Sequence, residues 1–217
     1  GDDSECSGTS IGGRAVLTAG HCISDGKGRY FTNVMFVPAY SKQNPTGTYY
    51  SAPFGKWYAE QIWTFDEWLY NNNYCRDVAF LVMKKSGNMT LSQRVGSLGI
   101  AVNKSSVQHW NMFGWPADPP YDGRFLVQTQ ASFSGFANQR NPMSCEGVSV
   151  PQGIGTVQTG GCSGGPWVLD LDPYERGTTG NLVNSVNSFG WKGSNYEIFG
   201  PYFDDAVLQA WTDFTSR

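Results

Sequence analysis

Charge, histidine and long apolar runs are all scarce in this sequence. Only 15% of its 217 residues are Asp, Glu, Lys or Arg, and the net charge is −3. No basic run exists to follow a phosphate backbone, so nucleic acid is not an expected partner. No apolar stretch approaches the roughly 20 residues of a membrane-spanning helix, so no membrane partner is expected either. There are two histidines and five cysteines, with no C-x-x-C pair, and neither a metal site nor another cofactor is expected. Long helical patterns, internal repeats and low-complexity linkers are missing as well.

Glycine (27 residues) and aromatic side chains (15%) are plentiful. Short apolar runs punctuated by Gly, Asn, Pro and Ser read as an all-β sandwich or barrel. Candidate strands are Ala15–Leu17, Val34–Val37, Val78–Met83, Phe125–Ala131, Pro166–Leu171 and Leu182–Phe189. One clear helix ends the chain. Asp204 or Asp205 can cap it, and Val207, Leu208, Trp211 and Phe214 are expected to share a face. A shorter helical piece is expected around Phe65–Tyr70.

The run Gly160-Gly161-Cys162-Ser163-Gly164-Gly165-Pro166-Trp167 sets one serine between two glycine pairs. A serine hydroxyl is a poor nucleophile unless a base takes its proton and something receives the developing charge. Glycines before the serine allow a tight loop whose N–H groups point inward, as an oxyanion hole needs. The base is supplied by His21, in Thr18-Ala19-Gly20-His21-Cys22, since imidazole titrates near neutral pH. Asp77 opens the apolar run Val78-Ala79-Phe80-Leu81-Val82, where a buried carboxylate calls for a partner. Asp66 is its nearest rival, in a more polar stretch, and His109 has no comparable context and reads as structural.

These three segments, in the order His, Asp, Ser, resemble the chymotrypsin-like serine peptidases. Within them the chain looks most like the secreted V8-like, glutamyl-endopeptidase-like branch. Cys162 stands where digestive enzymes have aspartate, Gly114-Trp115-Pro116-Ala117 is similar to a G-Y-P-x element, and Gly200-Pro201-Tyr202-Phe203 leads into the final helix. The resemblance implies two six-stranded antiparallel β-barrels, residues 1–105 and 106–217, with a C-terminal helix. It also implies a secreted, monomeric endopeptidase with a protein or peptide substrate, a His21–Asp77–Ser163 triad, and an oxyanion hole from the N–H groups of Gly161 and Ser163. The alternatives are an inactive binding protein on the same fold, an esterase, or a Glu-specific peptidase.

The family carries a bridge at Cys6–Cys22, which would pin the histidine loop. Cys145–Cys162 is the next expected pair, with Cys75 left unpaired; the alternative is a free Cys162 buried behind the oxyanion loop. Asn88 and Asn103 are glycosylation sequons. Substrate is expected to meet Val157 and Gln158 at a pocket floor, the Ser188-Phe189-Gly190 strand, and Gly200 on a wall. Glutamyl-specific members place a histidine where this chain has Asn187. An acidic side chain there would be desolvated with no cation, so uncharged residues are the expected preference. Only five residues precede Cys6, where relatives have a further strand.

Overall fold

The computed structural model describes residues 4–42, 50–174, 180–191 and 196–215. Among them the chain forms β1 (Thr9–Ser10), β2 (Ala15–Thr18), β3 (Met35–Phe36), β4 (Ser41–Lys42), β5 (Tyr50–Ser51), β6 (Trp57–Thr64) and β7 (Ala79–Met83). Further on come β8 (Gly99–Ile100), β9 (His109–Gly114), β10 (Val127–Phe136), β11 (Gln152–Gly155), β12 (Pro166–Leu169), β13 (Leu182–Val186) and β14 (Glu197–Gly200). The α-helices are short: α1 (Asp66–Leu69), α2 (Leu91–Val95) and the terminal α3 (Asp205–Thr215).

β7 explains the first sheet. All five of its residues are buried, because β2 and β6 pair with it on either side and both of its faces are covered. Side chains alternate across a strand. Phe80 and Val82 therefore enter a cluster with Leu17, Val183, Val186, Val207 and Phe214, while Ala79, Leu81 and Met83 enter one with Val16, Trp57 and Leu91. The first sheet runs β1-β2-β7-β6-β3, the second β14-β11-β10-β9-β12-β13-β8, and β4-β5 form a separate ribbon. Both large sheets curl into half-barrels. The described strands divide five and seven because β8 joins the second sheet, pairing parallel with β13 through Gly99 and Leu182.

α3 packs across both sheets through buried Val207 and Phe214. Leu208, placed on the same face in the sequence reading, turns to solvent and is 37% exposed, since one residue rotates the helix by about 100°. Asp204 is the cap: its carboxylate accepts from Ala206 N at 3.1 Å and Val207 N at 3.3 Å. The same carboxylate takes both Arg76 guanidinium nitrogens at 2.8 Å. Burial pushes the Asp204 carboxyl upward, but the Arg76 bonds and charge outweigh it and hold it below the ordinary range. Arg76 immediately precedes Asp77, so the last helix is tied to the turn that carries a site residue.

One cysteine expectation is met and one is corrected. Cys6 bonds Cys22. Cys145, however, bonds Cys75 and not Cys162, which is free and buried. Cys162 packs inward behind the backbone of β9: a Cβ built on Gly114 would lie 2.6 Å from the Cys162 Cβ. Cys145 instead lies over the turn Tyr74–Arg76, with its Cα 5.7 Å from that of Cys75. The bridge closes a separation of 70 residues, a length for which loop closure stabilises by about 4 kcal/mol.

Candidate active site

β2 ends in a tight turn, Gly20–Cys22, that presents His21. Gly20 is required there, since a Cβ would come within 2.6 Å of the Trp68 indole. The His21 backbone N–H donates to Asp77 Oδ1 at 2.8 Å, and its Nδ1 lies 2.7 Å from Asp77 Oδ2. Asp77 is fully buried. Its Oδ2 accepts a third bond, from Ser188 Oγ at 2.5 Å. Three donors around one buried carboxylate remove the cost of leaving it unpaired. With Nδ1–H directed at the carboxylate, the lone pair lies on Nε2, the position a base needs. Burial lowers the imidazole pKa, but the Asp77 charge and hydrogen bond win, and His21 titrates above its ordinary value near 6.5. Asp66, the rival carboxylate, is exposed at the start of α1 and does not bond His21.

The Ser163 turn is built differently. Gly161 and Gly164 have φ of +94° and +80°, where a side chain is strained. A Cβ on Gly164 would lie 2.1 Å from Thr18 Oγ1, and one on Gly165 would lie 1.9 Å from Phe113 O. The turn thus sits flush against residues 18–19 on one side and β9 on the other, bringing it beside the His21 turn. Ser7 N donates to Ser163 O at 2.7 Å, and Cys6, next to Ser7, is bridged to Cys22, next to His21. Neither Gly161 N–H nor Ser163 N–H donates to another backbone group among the described residues. The Gly160 carbonyl accepts from Ala117 N at 2.6 Å and Asp118 N at 3.2 Å.

The Cys6 and Cys22 sulfurs lie close to His21, yet their mutual bond leaves no thiolate for a metal. The Cys162 thiol, beside Ser163, is pushed up to about 12 by burial and stays protonated.

The pocket residues are distributed less simply than the sequence suggests. Val157 is 55% exposed. Gln158 is buried and turns its amide to β10, donating to Val127 O and Thr129 Oγ1 at 3.3 Å each. Phe189 stacks on Phe199 and packs against Tyr74, whose ring in turn meets Trp68, an edge neighbour of His21. Gly190 follows directly, and its missing Cβ faces Glu197 O at 3.1 Å. Gly200 faces the interior, where a Cβ would meet Ser185 Oγ at 2.3 Å. Asn187, at the position compared with a histidine, is 1% exposed and fully engaged: it accepts from Trp167 Nε1 and donates to Phe113 O and Cys162 O. Among the sequons, Asn88 is exposed in a turn and the Asn103 amide donates to Asp205. His109 sits exposed at the start of β9, near Ser132.

Sequence reasoning missed Ser7 altogether and, while placing Ser188 on a substrate-binding strand, missed the bond from its hydroxyl to Asp77. Ser7 has no motif of its own; its one signal is adjacency to a cysteine whose bridge was expected.

Two curled β-sheets holding a buried carboxylate–imidazole pair beside a glycine-bracketed serine define a chymotrypsin-like serine protease. The chain belongs to the trypsin family, whose sequence model matches residues 2–204. The protease Anisep from Arthrobacter nicotinovorans is 31% identical, with 98% of this chain and 89% of that one covered and a TM-score of 0.82. A thermostable serine protease, AL20, from an extremophilic microorganism is 33% identical over 97% of this chain and 90% of that one, with a TM-score of 0.81. A Glu endopeptidase, 16% identical over 99% of this chain and 86% of that one, shares the fold at a TM-score of 0.72. No curated protein sequence matches the chain. The protein is a serine endopeptidase by family, and proteins or peptides are its substrate class.

Proposed function

We propose that this chain is a secreted endopeptidase that hydrolyses peptide bonds through a Ser163–His21–Asp77 triad, preferring uncharged residues before the scissile bond. Two barrels, 1–105 and 106–217, would then face each other across the cleft. The observation that carries the triad is the pair of hydrogen bonds from His21, one from its backbone N–H and one from Nδ1, to the fully buried Asp77. Ser163 Oγ attacks the substrate carbonyl while His21 Nε2 takes its proton. Asp77 stays ionised and steadies the imidazolium. The carbonyl oxygen becomes an oxyanion, which the free N–H groups of Gly161 and Ser163 receive. His21 then returns its proton to the leaving amine, and water repeats the sequence on the acyl-enzyme.

Two observations support the specificity reading. The Asn187 amide is engaged inside the protein, and Gln158 offers no charge. A substrate carboxylate would therefore meet no cation from either. The two disulfides and the absence of any helix able to cross a membrane among the described residues are consistent with an extracellular site of action.

The test is labelling with a fluorophosphonate, combined with turnover of a peptide library. Wild-type protein is expected to label at Ser163, and Ser163→Ala to lose label and about 10⁶-fold in turnover. A folded Ser163→Ala protein that still cleaves peptides at the wild-type rate would sink the triad. A tenfold or greater preference for Glu in the library would sink the specificity reading.

A further inference from the structure

Two buried polar side chains grip the Ser163 turn from opposite sides, and neither takes part in a reaction step. Asn187 is 1% exposed and donates Nδ2 to Cys162 O at 2.8 Å. Its main chain brackets the same turn, with Gly164 N donating to Asn187 O at 2.7 Å and Asn187 N to Gly165 O at 2.8 Å. Its Oδ1 is locked by Trp167 Nε1 at 2.6 Å, so the amide cannot flip without losing that bond. Ser7 is 6% exposed. Its hydroxyl donates to Gly161 O at 3.0 Å and accepts from Trp115 N at 2.9 Å, while its own carbonyl accepts from Thr18 Oγ1 at 2.8 Å.

A peptide unit is planar and trans, so its C=O and N–H point in opposite directions. The Cys162 carbonyl belongs to the same plane as the Ser163 N–H. Holding Cys162 O inward on Asn187 therefore aims the Ser163 N–H outward. The Gly160 carbonyl shares a plane with the Gly161 N–H, and it is held by Ala117 N and Asp118 N. That loop is secured to the turn by Ser7, which joins Trp115 N to Gly161 O. We infer that Asn187 and Ser7 are positioning residues that pre-form the oxyanion hole, Asn187 by aiming the Ser163 donor and Ser7 by securing the loop that aims the Gly161 donor. No charged pair is involved. The residue before the serine is a protonated, buried cysteine and supplies no carboxylate for one.

The inference rests on the peptidase reading, and the test separates the two. Ser7→Ala and Asn187→Ala are compared with wild type for kcat and KM on a peptide taken from the library. Binding of the matching peptidyl boronate and of the uncleaved product peptide is measured alongside. Displacing an oxyanion donor is expected to lower kcat by roughly ten- to a hundredfold. Boronate affinity should fall by the same factor, because its tetrahedral adduct occupies the hole, while KM and product-peptide affinity stay within about twofold. A thermal melt confirms that each variant is folded. Asn187→Ala takes the side-chain bond from the Trp167 indole N–H, Phe113 O and Cys162 O, the last of which keeps its bond from Gly165 N, and can fail to fold; Ser7→Ala then decides alone. Folded Ser7→Ala protein with unchanged kcat and boronate affinity would overturn the inference, as would a loss confined to KM. Wild-type protein with no Ser163-dependent cleavage would instead overturn the peptidase reading.

Discussion

The His21–Asp77 half of the site and the Ser163 half are held by opposite means. Around Asp77 the stabilising contacts are directed bonds to a charge: two donors from His21, one from Ser188, and the neighbouring Arg76 locked on Asp204. Around Ser163 the contacts are close approaches of bare backbone, with glycines where any Cβ would collide and carbonyls tethered by neutral side chains. A charge tolerates small displacements, because its interaction falls off gently with distance. Backbone in van der Waals contact tolerates almost none. The first half should therefore fail chemically while staying folded, and the second should fail by refusing to assemble.

Among the variants that probe this contrast, the largest effect is expected of Asp77→Asn. The amide can offer an N–H to Nδ1 and select the wrong tautomer, leaving Nε2 protonated. By analogy with triads of this type, kcat should drop about 10⁴-fold with the melting temperature little changed. Steady-state kinetics beside a thermal melt checks both parts, and a fully active or an unfolded variant would blur the contrast between the halves. Gly165→Ala probes the other half. Its new methyl would occupy the space of Phe113 O, 1.9 Å away, and overpacking against backbone should cost about 3 kcal/mol or more. Urea unfolding should register that loss together with loss of Ser163 labelling; a variant with wild-type stability would show that β9 yields.

The smallest effect is a pH shift. His21 is held above its ordinary value by the Asp77 charge and bond, against burial. Its neutral form is the base, so kcat/KM should rise with pH through a midpoint above 6.5. The stabilising ion pair works in the other direction: it is fully present below the unfolded value and is lost as pH rises through the folded one. In Asp77→Asn the raising influences vanish and burial remains, so the residual activity should show a midpoint lower than wild type. An unmoved acidic limb would mean that another group sets it.

This contrast also decides what could be read from the chain. His21, Asp77 and Ser163 stand in local contexts of glycine, apolar strand and cysteine, and the structure gathers His21 and Asp77 into direct contact with the Ser163 turn beside them. Six strands were legible as short apolar runs, and β7 carries an unbroken one because it is covered on both faces, whereas the more polar β6, β9, β11 and β14 were not read. The cysteine partners were not legible. Cys162 sits next to a site residue, yet its side chain faces β9, and only the packing of two sheets brings Cys145 to Cys75. Ser7 was invisible for a related reason: its hydroxyl matters through partners 108 and 154 residues away, and no local pattern encodes such a meeting.

The bridge between Cys75 and Cys145 decides what a single backbone cut does to this molecule. A chain severed anywhere between Arg76 and Ser144 remains one covalent molecule, with both halves still fastened beside Asp77. A cut there leaves the fragments joined until the sulfurs are reduced, whereas a cut between Ile23 and Tyr74 is spanned by no such tie. Tolerance of a cut is thus unevenly shared along the polypeptide, concentrated in the stretch that begins beside Asp77.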